Sequence, residues 1–176
     1  MKGDKFFTNL DLKLGYHQTP IEPTDVWKPT FKPKEELFGW LVMPFSLTNA
    51  PVTFMRYMDE ILWPFIGKSV IVYLNDILIF SQPWEEHVKQ LRKVFDTLHQ
   101  NQLYLNMDKF SFAMTDIKFL GYVIDFAGIH FVLDKVQILK HWPIPKNIHE
   151  LRIFHGLANF YQRFILGFSH ITWHLN

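Results

Sequence analysis

The alternation of apolar and polar positions marks several elements along this 176-residue chain. Phe6 to Leu12 reads as a short strand ending near Asp11. Val26 to Phe31 and Phe38 to Met43 read as two more, joined by the charged turn Lys32-Pro33-Lys34-Glu35-Glu36. Asn49-Ala50-Pro51 marks a helix start, with Pro51 at the first helical position. Phe54, Met58, Ile61, Leu62 and Phe65 follow at helical spacing, and Gly67 closes the segment. From Ser69 to Ser81, two β-rich apolar runs flank the polar pair Asn75-Asp76, which predicts a β-hairpin turning on that pair. Trp84 to Gln102 predicts an amphipathic helix, with Val88, Leu91, Val94, Phe95 and Leu98 on one face and Lys89, Arg92 and Lys93 off it.

Phe119 to Ile124 and Ile129 to Val132 suggest a second hairpin, turned at Ala127-Gly128. The pattern then becomes helical: Lys135 to Trp142, Ile148 to Leu157 after the Pro143-Ile144-Pro145 break, and Ala158 to Leu166. These spacings predict an α+β first part, residues 1–132, and a helical segment, residues 133–176.

Composition narrows the chemistry. Hydrophobic residues make up 48% and charged residues 20%, enough apolar content for a packed core. A net charge of +1 excludes a strongly basic coat but not a local basic groove. With no cysteine, disulfides, thiolate metal sites and thiol nucleophiles are excluded. Phe is over-represented at 18 residues, which leaves some rings to be accounted for outside the core. The charged start MKGDKFF has no signal-peptide character, and Asn75-Asp76 interrupts the longest apolar run. A soluble intracellular protein is therefore expected, with no membrane partner.

Asp11 at a strand end and Asp76 at a hairpin tip meet if their strands are neighbours. Two carboxylates on adjacent strands suit Mg²⁺, a hard cation that shares its shell with substrate phosphates. Spacing alone favours the plainer reading, in which Asp11 caps a turn and Asp76 is a turn residue. His170 and His174 stand four apart, but with no HExxH string and no third ligand they read as surface or tail residues. Lys28, Lys32, Lys34, Lys89, Arg92 and Lys93 read first as solvated faces.

Five strings occur in order: LDLKLGYHQ (Leu10 to Gln18), LVMPFSLTNAPVTF (Leu41 to Phe54), YLNDILIFS (Tyr73 to Ser81), FLGYVIDFAGI (Phe119 to Ile129) and ELRIFHGLANFYQRFI (Glu150 to Ile165). Together they resemble the reverse transcriptase of gypsy-type long-terminal-repeat retrotransposons, and the resemblance covers almost the whole chain. It implies a right-hand polymerase palm over residues 1–132, with partial fingers elements within 19–50 and a thumb-like helical segment over 133–176.

The implied chemistry is RNA-directed DNA synthesis by two-metal nucleotidyl transfer, with Mg²⁺ or Mn²⁺ as cofactor. The implied partners are an RNA or DNA template, its primer and deoxynucleotides. By the same resemblance Asp11 and Asp76 are metal carboxylates, joined by the main chain of Leu12, and Asn75 stands at a catalytic position. Tyr16 gates the sugar, while Phe45 and Lys109 lie on the nucleotide side, Lys109 as a candidate general acid. Phe119, Leu120, Gly121 and Tyr122 form the primer grip.

Departures from the family pattern sharpen the expectation. The family carries two adjacent Asp at the hairpin tip, where this chain has Asn75-Asp76. A unit charge about 4 Å from a metal, at an effective dielectric of about 20, is worth roughly 4 kcal/mol. Lost wholly from the transition state, that is about three orders of magnitude in rate. Ser46 stands at a family Gly, and His155 at a family Leu. Asn75, Ser46 and Leu133 each fit one transition at a C·G pair, the mark of a decaying copy. The resemblance also implies a basic fingers segment ahead of Asp11, which only ten residues precede here. Impaired or lost polymerase activity is therefore expected, as is the absence of ribonuclease H and integrase regions. The alternatives are a nucleic-acid-binding remnant without catalysis, a product with no retained function, or an enzyme completed by a subunit supplying fingers or ribonuclease H. The sequence leaves the oligomeric state open.

Overall fold

In a computed structural model, residues 3–34, 36–162 and 165–173 are described. The chain divides into two compact units, residues 1–130 and 131–176.

The first unit is built on a four-stranded antiparallel sheet. Its strands are β1 (Phe6–Asp11), β4 (Val70–Tyr73), β5 (Asp76–Ser81) and β6 (Ser111–Met114), in the order β4-β5-β1-β6. Strand parity assigns each residue of β1 to a face. Leu10 and Leu12 point with Val70, Ile77 and Ile79 toward helices α1 (Ala50–Leu62) and α2 (Trp84–Gln100), where Phe54, Met58, Leu62, Leu91, Val94 and Leu98 complete the main core. Phe7, Leu78 and Phe80 lie on the opposite face, under Ile117, Phe119 and Ile124. Asn9 and Asp11 share that second face by the same parity, beyond its apolar part.

One polar cluster is sealed inside the helix side. His87 of α2 is fully buried, and each ring nitrogen is 2.8 Å from a hydroxyl: Thr8 Oγ1 on β1 and Ser81 Oγ on β5. Thr8 Oγ1 also accepts from the Ala113 amide of β6 at 3.0 Å. His87 thus ties α2 to β1 and β5, Thr8 carries the cluster on to β6, and burial lowers the pKa of the ring.

Several sequence expectations need correction. The helix from Ala50 stops at Leu62, not at Gly67: Trp63 keeps helical backbone, but Pro64 has no N–H to continue the ladder and the chain tightens into a turn, with Phe65 N on Leu62 O at 2.9 Å. The two long strands of the 26–43 region shrink to β2 (Thr30–Phe31) and β3 (Phe38–Gly39). Pro29 removes a ladder donor, and Lys28 N bonds back to Asp25 O at 2.9 Å in a turn. The β4–β5 hairpin turns on Leu74-Asn75 rather than Asn75-Asp76. Tyr73 pairs with Asp76, and Leu74 takes a left-handed φ of 52°.

The run 119–124 is not one strand. It is split by Leu120 and Gly121, at φ 49° and 83°, into β7 (Asp116–Phe119) and β8 (Tyr122–Asp125). Two positive φ values make the turn that matches strand twist. β9 (Gly128–Phe131) completes a three-stranded sheet, its approach set by Asp125 Oδ1, which accepts from the amides of Ala127 and Gly128 at 2.8 and 3.1 Å.

The second unit is helical: α3 (Leu133–Lys140), α4 (Ile148–Phe160) and α5 (Phe168–Ile171). The helix that the sequence splits at Leu157 runs on to Phe160. At its start, Asn147 Oδ1 accepts from the Glu150 amide at 2.9 Å, while Glu150 Oε2 accepts from the Lys146 amide at 2.8 Å, a reciprocal cap. His155 stacks on Phe168 at 6.4 Å. Residues 163 and 164 of the expected last helix, Glu35 of the charged turn, and His174 lie outside the described residues. Among the described residues, no helix is long and apolar enough to cross a membrane.

Candidate active site

The register of β1 against β5 brings the two carboxylates together. Asp11 and Asp76 are Cα partners at the end of the ladder, so their side chains leave the same face of the sheet. The carboxylate of Asp11 is mostly covered (17% exposed), and Lys109 Nζ lies 3.6 Å from its Oδ2. Lys109 is delivered by the backbone. Lys13 N bonds Tyr104 O at 3.0 Å and Asn106 N bonds Asp11 O at 2.8 Å, so the 104–109 segment is stitched to the end of β1. Its last turn, Met107–Lys109, lifts the ammonium to the carboxylate.

Asn9, two residues before Asp11 on the same face, completes the group. Its Nδ2 donates to Asp76 Oδ1 at 3.5 Å, and its Oδ1 is buried without a hydrogen-bond partner. Asp76 has a raised pKa. Burial is the main cause and the charge of Asp11 adds to it, while the Asn9 hydrogen bond and the Lys109 charge oppose it. The pair therefore carries excess negative charge that a cation would relieve.

Asn75 is adjacent in sequence but is placed differently. Its main-chain oxygen accepts from Leu12 N at 2.9 Å, extending the sheet past Asp11. Its side-chain Oδ1 is buried without a partner, against Gly15, where an added Cβ would come within 2.4 Å of it. No hydrogen bond joins it to Asp11 or Asp76 among the described residues. Leu12 has a buried side chain and bridges Leu105.

Tyr16 lies in the 3₁₀ turn Gly15–Gln18 and is buried. Its ring meets Phe54 and Phe45 edge-on at 5.1 and 4.9 Å. Phe45 itself is 54% exposed and carries the aromatic contact onward to His17 and Trp40. Of the four positions 119–122, Phe119 is in the second apolar cluster, Leu120 and Gly121 form the turn, and Tyr122 pairs back with Phe119.

The donor set suits a divalent cation of the hard class. It offers two carboxylates on one face and no thiolate, and such ions commonly take only one or two protein carboxylates. Among the described residues, no group of three or more His, Cys, Asp or Glu could hold a metal, so the protein share of any shell is small. Sequence reading missed Asn9 and Gly15. The period of two along β1 points to Asn9, whereas only the fold reveals what lies against Gly15.

An antiparallel sheet backed by helices, with paired acids at neighbouring strand ends, defines a polymerase palm-like α+β fold. The reverse transcriptase (RNA-dependent DNA polymerase) family matches residues 1–124, and the chain belongs to that family. It is 36% identical over 168 residues to a retrovirus-related Pol polyprotein from the transposon opus of Drosophila melanogaster, covering 96% of this chain and 17% of that protein. It is 35% identical over 176 residues to the transposon Tf2-3 polyprotein of Schizosaccharomyces pombe, covering 100% of this chain and 13% of that protein. The chain thus spans less than a fifth of these relatives. Among solved structures, a foamy viral protease-reverse transcriptase in complex with double-stranded DNA superposes with a TM-score of 0.84, at 26% identity, over 97% of this chain and 30% of that one. The foamy viral enzyme with an RNA/DNA hybrid gives 0.75 at 25% identity, over 89% and 21%.

Proposed function

We propose that this reverse transcriptase domain fragment is the palm (residues 1–132, with fingers elements in 19–50) and thumb-like segment (133–176) of a gypsy-type retrotransposon polymerase. In this reading Asp11 and Asp76 hold a divalent cation, Mg²⁺ or Mn²⁺, and the ligands are a primed RNA or DNA template and deoxynucleotides. The observation that carries it is the direct pairing of Asp11 with Asp76. A bound divalent ion would supply charge neutralisation and Lewis acidity for nucleotidyl transfer.

The chain's own residues do the rest. Asp11 and Asp76 bind and orient the ion from one face of the sheet. The Lys109 ammonium, 3.6 Å from Asp11, holds a proton beside the site and offsets part of its charge. The exposed Phe45 ring, braced by Tyr16, offers a flat apolar surface to a nucleotide, and the buried Tyr16 sets how deep the sugar can sit. The 119–122 turn is the primer-side contact.

Asn75 supplies a neutral amide where a carboxylate would complete the charge, so ion binding is weak and turnover severely impaired. Titration with Mn²⁺ followed by electron paramagnetic resonance tests this. The chain should bind Mn²⁺ weakly, Asp11→Asn should lose it, and Asn75→Asp should bind at least about tenfold more tightly, a gain of about 1.4 kcal/mol. Equal binding by the unmodified chain and Asp11→Asn would place the ion elsewhere and overturn the reading.

A further inference from the structure

We infer that Asn75 is a positioning residue: its side-chain amide fills the notch left by the missing Cβ of Gly15 and fixes the Tyr16 turn onto the tip of the β4–β5 hairpin. The notch is tighter than the surroundings of Gly39, where an added Cβ would come no nearer than 3.1 Å to any neighbour. A Cβ on Gly15 would stand 2.4 Å from Asn75 Oδ1 and 2.7 Å from Phe54 Cζ. Gly15 does not have a positive φ, so its lack of a side chain serves space rather than backbone freedom. Tyr16 follows directly, its ring set on Phe54. The hairpin tip is also held from behind, by Leu12 N on Asn75 O at 2.9 Å and by Leu74 N on Met55 Sδ at 2.9 Å. Amide, glycine and two aromatic rings thus form one interlocked contact.

The wedge constrains what position 75 can be. Asn75 Oδ1 is buried with no hydrogen-bond donor facing it. A neutral amide bears that at modest cost, whereas an ionised carboxylate in the same place does not. An ionised carboxylate at 75 turns out of the notch and leaves Gly15 unfilled. Filling the notch and ligating an ion beside Asp11 and Asp76 are therefore exclusive roles for one side chain. This last consequence rests on the metal reading above, but the wedge itself does not.

The test is a double-mutant cycle in EDTA, using Gly15→Ala, Asn75→Ala and the pair, with Asn75→Ser as a second small variant should Asn75→Ala not fold. Gly15→Ala should lower Tm by about 4 °C or more in the unmodified chain and by less than half of that once residue 75 is small, because the closer clash is then gone and the Phe54 ring can shift into the vacated space. The ¹³C ring signals of Tyr16, assigned through Tyr16→Phe among the six tyrosines, should shift in Asn75→Ala and Asn75→Asp while those of Tyr122 stay in place. Additive losses of Tm, or unchanged Tyr16 signals in a folded residue-75 variant, would overturn the inference. Adding the diamagnetic ion Mg²⁺ to Asn75→Asp should move the Tyr16 signals further, as the ion holds the carboxylate out of the notch. If no form binds Mn²⁺, the metal reading falls, and the cycle still decides the wedge.

Discussion

Asp76 stands across the ladder from Asp11, and the long hydrogen bond from Asn9 and the charge of Lys109 compensate it only in part. Its raised pKa means that the folded chain holds the proton more tightly than the unfolded chain does. That contribution is present below the ordinary aspartate pKa and is lost as pH rises through the folded value. At neutral pH the ionised side chain therefore lowers stability, as the proposed ion-binding role would require. Asp76→Asn should raise Tm by about 2 °C or more in EDTA at pH 7.5. A fall in Tm would mean that the carboxylate is structural.

His87 behaves in the opposite sense. Its lowered pKa makes the neutral ring the folded form, so its contribution is complete above about pH 6.5, the ordinary histidine value, and declines as pH falls from there toward the folded value. No charged partner enters. Glu86 of α2 bonds Gln90 and pairs with Lys89, Asp11 of β1 pairs with Lys109, and Asp76 of β5 takes Asn9. A protonated ring would donate to both hydroxyls and leave their protons to find new acceptors in a dry site. His87→Phe should cost about 2 kcal/mol at pH 7.5, by stranding Thr8 and Ser81, and should flatten the pH dependence between 5 and 7. An unchanged pH slope in thermal melts would contradict this assignment. None of this was legible in the sequence. His87 falls on the inward side of an amphipathic helix, and its hydroxyl partners lie 6 and 79 residues away.

At the scale of elements, the sequence reveals those that one face or one turn decides. α2 is evident because its apolar periodicity is unbroken, and the Asp11 strand because it is a short apolar run covered on both faces. The hairpin about position 75 is also evident, displaced by one residue because Asn-Asp looks the better turn pair while register assigns Asp76 to the ladder. The 119–124 region misleads for a physical reason: Leu120 is a poor residue for a left-handed φ, so Gly121 alone marks the turn locally. That strain gives a prediction. Leu120→Asn should stabilise the β7–β8 turn by about 0.5–1 kcal/mol. If the turn instead docks Leu120 for a purpose within the fold, stability measured by urea titration will fall. β6 escaped the sequence reading because its ladder with β1 is irregular and Ala113 adopts φ 52°.

At the scale of the molecule, family membership was legible from five short strings, although each string's geometry was not. The acids came together as expected, whereas the Asn75 side chain went to Gly15. The distinction matters for the proposed activity, because Asp11 and Asp76 pair across the ladder in a chain that carries a neutral amide at position 75. The central claim is that Asp11 and Asp76 form a nucleotidyl-transfer site whose weakness lies at position 75. Primer extension on an RNA template with Mg²⁺ or Mn²⁺, comparing this chain, Asn75→Asp, and Asn75→Asp combined with Asp11→Asn, tests it most directly. Asn75→Asp should extend the primer faster than the unmodified chain, by up to about 10³-fold, and adding Asp11→Asn should abolish the gain. Equal extension by the unmodified chain and Asn75→Asp, or extension that survives Asp11→Asn, would contradict it.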